Sequence, residues 1–386
     1  MNQVTPSHQP PATHLLDAMH QSGQLPAAVR VRRLPGVNGL DVQVLEAGFE
    51  PAGRPCVLLL HGFPELAFSW RRIMQPLAEA GYHVVAPDQR GYGGTTGWTA
   101  AYEDDLAPFG MLNLARDAVG VLAALGVARA EAVVGHDFGA SVAAWCALLR
   151  PDLFARVALM SAPFAGPPTL SERAPARPDI HAALAALPRP RKHYQRYYAT
   201  PQANADMHAA PQGVHDFLRA YFHMKSADWP GNAPHPLPGW TAEALAVMPT
   251  YYIMDLHATM AETVAPAMPG AAAIAACRWL PDAALAVYAE AFARTGFQGG
   301  LNWYRARQGP NPLLELFAGR TIEVPALFVA GAADWGTYQV PGALERMRDE
   351  ACARMTAVHL VEGAGHWVQQ EQPQRVAALL LAFLAA

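Results

Sequence analysis

The amino-acid sequence predicts an α/β protein, a mostly parallel central sheet flanked by helices and interrupted in sequence by a long helical insertion. Three observations predict it. Short apolar runs alternate with stretches of helical periodicity through the first part of the chain and again near its end. Between them, from residue 163 to residue 305, the periodicity is helical and broken by proline-rich segments. One apolar run, Ala132-Val133-Val134, passes through a glycine-flanked turn straight into a helix.

A polar, proline-rich leader occupies residues 1–25. Val29 to Arg33 and Val42 to Leu45 then read as an antiparallel pair, and Cys56 to Leu60, apolar throughout, as a fully buried strand. Helix Trp70 to Ala80, strand His83 to Ala86, helix Leu112 to Leu125, strand Ala132 to Val134, helix Ala140 to Leu149 and strand Arg156 to Met160 follow. No buried-strand pattern recurs from Pro163 to Tyr304, which includes the proline-rich stretches 163–190 and 229–238. Strands resume at Ala326 to Ala330 and Val358 to Val361, each followed by a helix. The expected organisation is a leader (1–25), a core domain (26–162 and 306–386) and a helical cap or lid (163–305). Such a cap would roof the crevice beyond the carboxyl ends of the strands, where open parallel sheets bind ligands.

With 386 residues, 52% of them hydrophobic, the chain can bury a large core. A net charge of -4 without blocks of like charge points away from nucleic acid and anionic membranes, and toward a small neutral partner. Residues Met1 to Pro11 lack a basic start and an apolar region, and no apolar run is long enough to span a bilayer. A cytoplasmic location is expected. Cys56, Cys146, Cys277 and Cys352 show no metal-binding spacing and read as reduced thiols. No metal and no cofactor is expected.

The turn is the most informative segment: Gly135-His136-Asp137-Phe138-Gly139 has the spacing of the Gly-x-Ser-x-Gly nucleophile elbow with an aspartate at its centre. The flanking glycines let strand and helix approach closely. A serine there suits acyl transfer. A carboxylate suits displacement at saturated carbon, because the alkyl ester it forms keeps a carbonyl that water can attack, whereas serine would be left as a stable ether.

Two further residues fall just after predicted strands: Asp334 in Gly331-Ala332-Ala333-Asp334-Trp335 and His366 in Gly363-Ala364-Gly365-His366-Trp367. Alone, Asp334 reads as a solvated turn carboxylate and His366 as a surface or capping histidine. Together with Asp137 they give the order nucleophile, acid, histidine, with all three projecting toward one crevice. Ser161-Ala162-Pro163, after the strand ending at Met160, offers no rival acid. His61-Gly62-Phe63-Pro64-Glu65 follows the strand ending at Leu60. There the backbone N–H groups of Phe63 and Phe138 can form an oxyanion hole, and Pro64 holds a cis bond or a fixed turn.

In these segments, with Ser69-Trp70, Asp88-Gln89-Arg90-Gly91-Tyr92-Gly93, Trp367-Val368-Gln369, Glu371, Pro373 and Gly296-Phe297-Gln298-Gly299-Gly300-Leu301-Asn302-Trp303-Tyr304-Arg305, the chain resembles the epoxide hydrolases of the α/β-hydrolase fold over residues 28–385. The resemblance implies hydrolysis of an epoxide to a vicinal diol through a covalent alkyl-aspartate ester, with an epoxide and water as partners and oligomeric state open. It makes Tyr304 one of two phenols that protonate the epoxide oxygen. Tyr194, in Tyr194-Gln195-Arg196-Tyr197-Tyr198, matches the second, with Tyr197, Tyr198, Tyr251 and Tyr252 as alternatives. It also places His61, Pro64, Gln195, Trp303 and Trp367 against substrate. Phenols suit the task, since an alkoxide's conjugate acid titrates near ~15.7, like water, and a phenol near ~10.

Many family members carry tryptophan where this chain has Phe138. A hydrolytic dehalogenase acting on haloalkanes or haloacids shares the triad but needs halide donors that Phe138 and Phe63 do not provide. An esterase fails at Asp137, and a catalytically inactive binding homologue remains an alternative. Turnover of epoxides against haloalkanes and haloacids separates these readings.

Overall fold

The computed structural model describes residue 19 and residues 23–50, 52–170, 179–309 and 311–386. Most of the leader therefore lies outside the described residues. Its centre is an eight-stranded sheet. Strands β1 (Val29–Val37), β2 (Leu40–Ala47), β3 (Cys56–Leu60), β4 (His83–Pro87), β5 (Ala130–His136) and β6 (Val157–Met160) come before the insertion. Two three-residue strands, β7 (Arg191–His193) and β8 (Ile253–Asp255), lie within it, and β9 (Ala326–Gly331) and β10 (Met355–Val361) come after it. The order across the large sheet is β1-β2-β4-β3-β5-β6-β9-β10. β1/β2 and β2/β4 pair antiparallel and all other neighbours in that sheet parallel.

Every residue of β3 is buried, as a parallel strand covered on both faces requires. Helices α1 (Arg71–Glu79), α2 (Met111–Ala124), α3 (Phe138–Leu149) and α8 (Pro373–Ala385) clothe the sheet, with α1 packing on α8 and α2 on α3. Strand order reverses between β3 and β5, since the chain leaves β3 for β4 on one side and returns to β5 on the other. That switch point leaves a crevice where the loops after β3 and β5 meet.

The segment between β6 and β9 is mainly helical and includes α4 (Tyr194–Tyr198), α5 (Gly213–Met224), α6 (Asp282–Thr295) and α7 (Gln298–Ala306). The pair β7/β8 was not expected. Its strands are too short for a periodic signal and largely polar, joined in register with an ion pair from Arg191 to Asp255. Similarly, β10 begins at Met355 rather than Val358, because this edge strand is only partly buried and lacks a continuous apolar run. A close backbone contact ties insertion to core: a Cβ on Gly91 or Gly299 would collide with the backbone of the other.

Candidate active site

Asp137 stands between β5 and α3 with φ +52° and ψ -121°, a strained region for a non-glycine residue that pushes its side chain into the crevice. Glycines make the turn possible. A Cβ on Gly139 would strike the carbonyls of Leu60 and His61, and one on Gly62 would strike the Asp137 side chain itself. The Phe63–Pro64 peptide is cis. The Phe63 N–H donates to Asp137 Oδ1 at 3.1 Å. Phe138 is the first residue of α3, so its N–H has no partner inside the helix.

His366 and Asp334 meet Asp137 at this point. His366 Nδ1 donates to Asp334 Oδ1 at 3.0 Å, and the same oxygen accepts from the Gly336 N–H at 2.7 Å. The other ring nitrogen, Nε2, faces Asp137 Oδ2, 3.5 Å away. Burial alone would raise the Asp137 carboxyl, but hydrogen bonding and charge from His366, with the charge of Lys225, hold it well below the usual carboxylate range. Asp334 follows the same logic: burial raises it, and His366 together with the Gly336 N–H brings it below its ordinary value.

Asp137 lines a cavity of about 60 Å³ together with Tyr304, Tyr194, Phe138, Gln195 and Arg307. The two tyrosine rings lie 6.0 Å apart. The Tyr194 hydroxyl donates to Gln339 Oε1 at 3.2 Å and accepts from Gln195 Nε2 at 3.1 Å. Burial, reinforced by the charge of Asp137, raises both phenols above their ordinary value. The alternatives are committed elsewhere: the hydroxyl of Tyr197 to Asp206, that of Tyr198 to Tyr221 and that of Tyr251 to Asn232. The Tyr252 ring packs behind Tyr194 at 5.1 Å. A larger cavity, about 280 Å³, is lined by Arg219, His223, Cys277 and Trp279 and contains none of these groups.

Four residues expected against substrate, His61, Pro64, Trp303 and Trp367, are not among those lining this cavity. The His61 ring is fully buried, with Nδ1 donating to the Gly62 carbonyl at 2.9 Å and Nε2 accepting from the Gln89 N–H at 3.1 Å, so it braces the turn after β3. Pro64 is buried in that same turn. The Trp303 indole N–H donates to the Arg90 carbonyl at 2.8 Å. Trp367 donates likewise to the Phe222 carbonyl at 2.8 Å. His61, Trp303 and Trp367 have each spent a polar group on backbone. Gln195 does reach the cavity.

Three other groups quoted only as motif members prove to organise the base. Both ring nitrogens of His136 face acceptors, Glu65 Oε2 at 2.6 Å and the His366 carbonyl at 2.7 Å, so both donate and His136 is an imidazolium. Burial would lower His136, but Glu65 more than offsets it. Glu65 also accepts from Gln369 and Gln370 at 2.9 and 3.0 Å. Glu371 brackets His366, accepting from the Gly365 and Trp367 N–H groups, each at 3.0 Å, and from the Ala227 N–H of the insertion at 2.8 Å. Burial raises Glu371 to about 8 despite these bonds. A carboxyl that fixes a loop carries no reactive-group signature, which is why pattern reading assigned it no role.

Comparison with known proteins matches residues 55–245 to the family model described as alpha/beta hydrolase fold. Epoxide hydrolase A of Mycobacterium tuberculosis is 36% identical over 363 residues, 91% of this chain and 96% of that protein. An epoxide hydrolase of Caballeronia sordidicola is 32% identical, covering 90% of this chain and 91% of its own length. Among solved structures, epoxide hydrolase A from Mycobacterium thermoresistibile superposes with a TM-score of 0.72 at 36% identity, over 93% of this chain and 98% of that one. An epoxide hydrolase from an endophytic Streptomyces gives 0.73 at 31% identity, over 93% and 96%.

Proposed function

We propose the following residue roles from the premise that this chain belongs to the epoxide hydrolases of the α/β-hydrolase fold and hydrolyses epoxides to vicinal diols. Asp137 is the nucleophile, Tyr304 and Tyr194 the acids, His366 the base, Asp334 its partner, and the Phe63 and Phe138 N–H groups the oxyanion hole. Residues 163–305 act as the lid that carries the two phenols. One observation supports this reading above the rest: the carboxylate at the elbow and the two tyrosines line one cavity, and His366 Nε2 lies 3.5 Å from Asp137 Oδ2. Among the described residues no helix is long and apolar enough to cross a membrane. The four free cysteines suit our further proposal of a cytoplasmic enzyme.

In the first half-reaction Asp137 Oδ2 bonds to a ring carbon as the carbon–oxygen bond of the epoxide breaks, and the departing oxygen takes a phenolic proton. In the second, water adds to the Asp137 carboxyl carbon while His366 Nε2 takes one of its protons. Negative charge then collects on Oδ1, where the Phe63 N–H already points. Collapse breaks the ester bond, the departing alkoxide takes the second proton of the added water to complete the diol, and the proton held by His366 returns through solvent to the phenolate. One solvent oxygen stays on the enzyme.

A single turnover in heavy-oxygen water therefore puts the label in the Asp137 carboxyl group and leaves the first diol unlabelled. Label appearing directly in that diol would mean that water attacks the epoxide itself. The acids are tested separately. Single Tyr304→Phe and Tyr194→Phe variants are expected to slow alkylation roughly 10- to 100-fold each, and the double variant by at least about 10³. Rapid-quench measurement of the first half-reaction reads this, and an unchanged alkylation rate in the double variant refutes the assignment.

A further inference from the structure

Lys225, at the C-terminal end of α5, is a buried cation with an unusual setting. Its ammonium lies 5.0 Å from the ring centre of Tyr252, 5.4 Å from Trp367, 5.5 Å from Tyr221 and 5.8 Å from Tyr251. It forms no ion pair at contact distance among the described residues. A buried ammonium is costly unless something offsets the lost hydration. Here aromatic faces supply part of the offset. The charges of Asp137, Asp334 and Glu65 act in the same sense from beyond contact range, although burial outweighs them and leaves the lysine below its ordinary value. The lysine also touches the base through its backbone, since its carbonyl accepts the His366 N–H at 2.8 Å.

We propose that Lys225 is a positioning residue that biases the Asp137 ester toward hydrolysis, its ammonium favouring every state in which negative charge stands on the Asp137 carboxyl group. This rests on the reading of Asp137 as the nucleophile. The charge balance decides the direction. Alkylation turns the Asp137 carboxylate into a neutral ester, so a nearby cation opposes that step. Hydrolysis reverses it: water bonds to the carboxyl carbon, one proton passes to His366 Nε2, charge gathers on Oδ1, and the ester bond breaks as the departing alkoxide takes water's second proton, which restores the carboxylate. A nearby cation assists each of those stages. No carboxylate meets this ammonium at contact distance, and its charge is among those that lower the Asp137 carboxyl. A residue that only filled space would affect the two half-reactions without this opposition.

The test is the ratio of the hydrolysis rate to the alkylation rate, measured by rapid quench and mass spectrometry of the Asp137 peptide in wild type, Lys225→Met, Lys225→Gln and Lys225→Arg. In the two neutral variants that ratio is expected to fall roughly tenfold, the effect of about one pKa unit of charge interaction. The alkyl-enzyme then accumulates in steady state, and kcat and KM fall together while kcat/KM is not reduced. Lys225→Arg keeps the charge and is expected to keep the wild-type ratio. Should Lys225→Met not fold, Lys225→Gln, with a polar end of similar shape, carries the comparison. Neutral variants that lose kcat/KM with an unmoved ratio overturn the inference alone, provided wild type still forms its adduct. A wild type that turns over epoxides with no adduct on Asp137 overturns the nucleophile assignment and this inference with it.

Discussion

Replacing His366 by glutamine is expected to stop the enzyme halfway, with one substrate-sized adduct on Asp137 and diol release slowed by about 10³- to 10⁴-fold. The geometry separates the two half-reactions this sharply. Displacement at the epoxide needs the Asp137 carboxylate and a phenolic proton, and the imidazole takes part in neither bond change. Hydrolysis needs a group that accepts a proton from water beside the carboxyl carbon, and His366 Nε2 is the nitrogen facing Asp137. A glutamine amide can still donate to Asp334 Oδ1, the bond His366 makes at 3.0 Å, so the buried Asp334 keeps a donor and the fold should survive. Intact-protein mass spectrometry after mixing with epoxide reads the adduct, and peptide mapping locates it. A His366→Gln enzyme that turns over at the wild-type rate would refute the base assignment.

Asp137→Ala should remove the activity altogether, by at least about 10⁴-fold, because no other residue can take the nucleophile's place at the elbow. The Cβ that already packs against Gly62 is retained, so the crossing of the two turns need not change. What is lost is the acceptor of the Phe63 N–H and the charge beside His366. Diol formation should fall to the uncatalysed level and no adduct should form, with near-wild-type circular dichroism. Residual turnover through a covalent intermediate on another residue would remove the basis of the mechanism.

Much of this was legible in the chain because the informative residues sit where chemistry and backbone make the same demand. Asp137 is flagged by its glycines, and Asp334 and His366 by following apolar strand runs, so a linear pattern locates all three. Tyr304 and Tyr194 carried no signal in spacing alone and came from the family resemblance. The expected substrate contacts that do not line the cavity share one feature. His61, Trp303 and Trp367 are polar or aromatic residues beside the site in sequence, but their hydrogen bonds to backbone turn them inward. Sequence gives the neighbourhood of a side chain and not its direction. Lys225 was invisible for the opposite reason: a lone lysine ending a helix is ordinarily solvated, and only the packing of four rings and the His366 loop around it makes it unusual.

The bonds joining Lys225 and Ala227 to the loop bearing His366 also limit how this protein can be recombined. Residues 225–227 belong by sequence to the helical segment and by contact to the base. Chimeras that exchange the whole segment to alter substrate range would import a foreign clamp for the histidine. Crossovers placed after residue 227 would leave its native support in place while still exchanging α6 and α7. Selectivity and turnover are thus coupled through two residues that an engineer working from the cavity outline alone would have counted as lid.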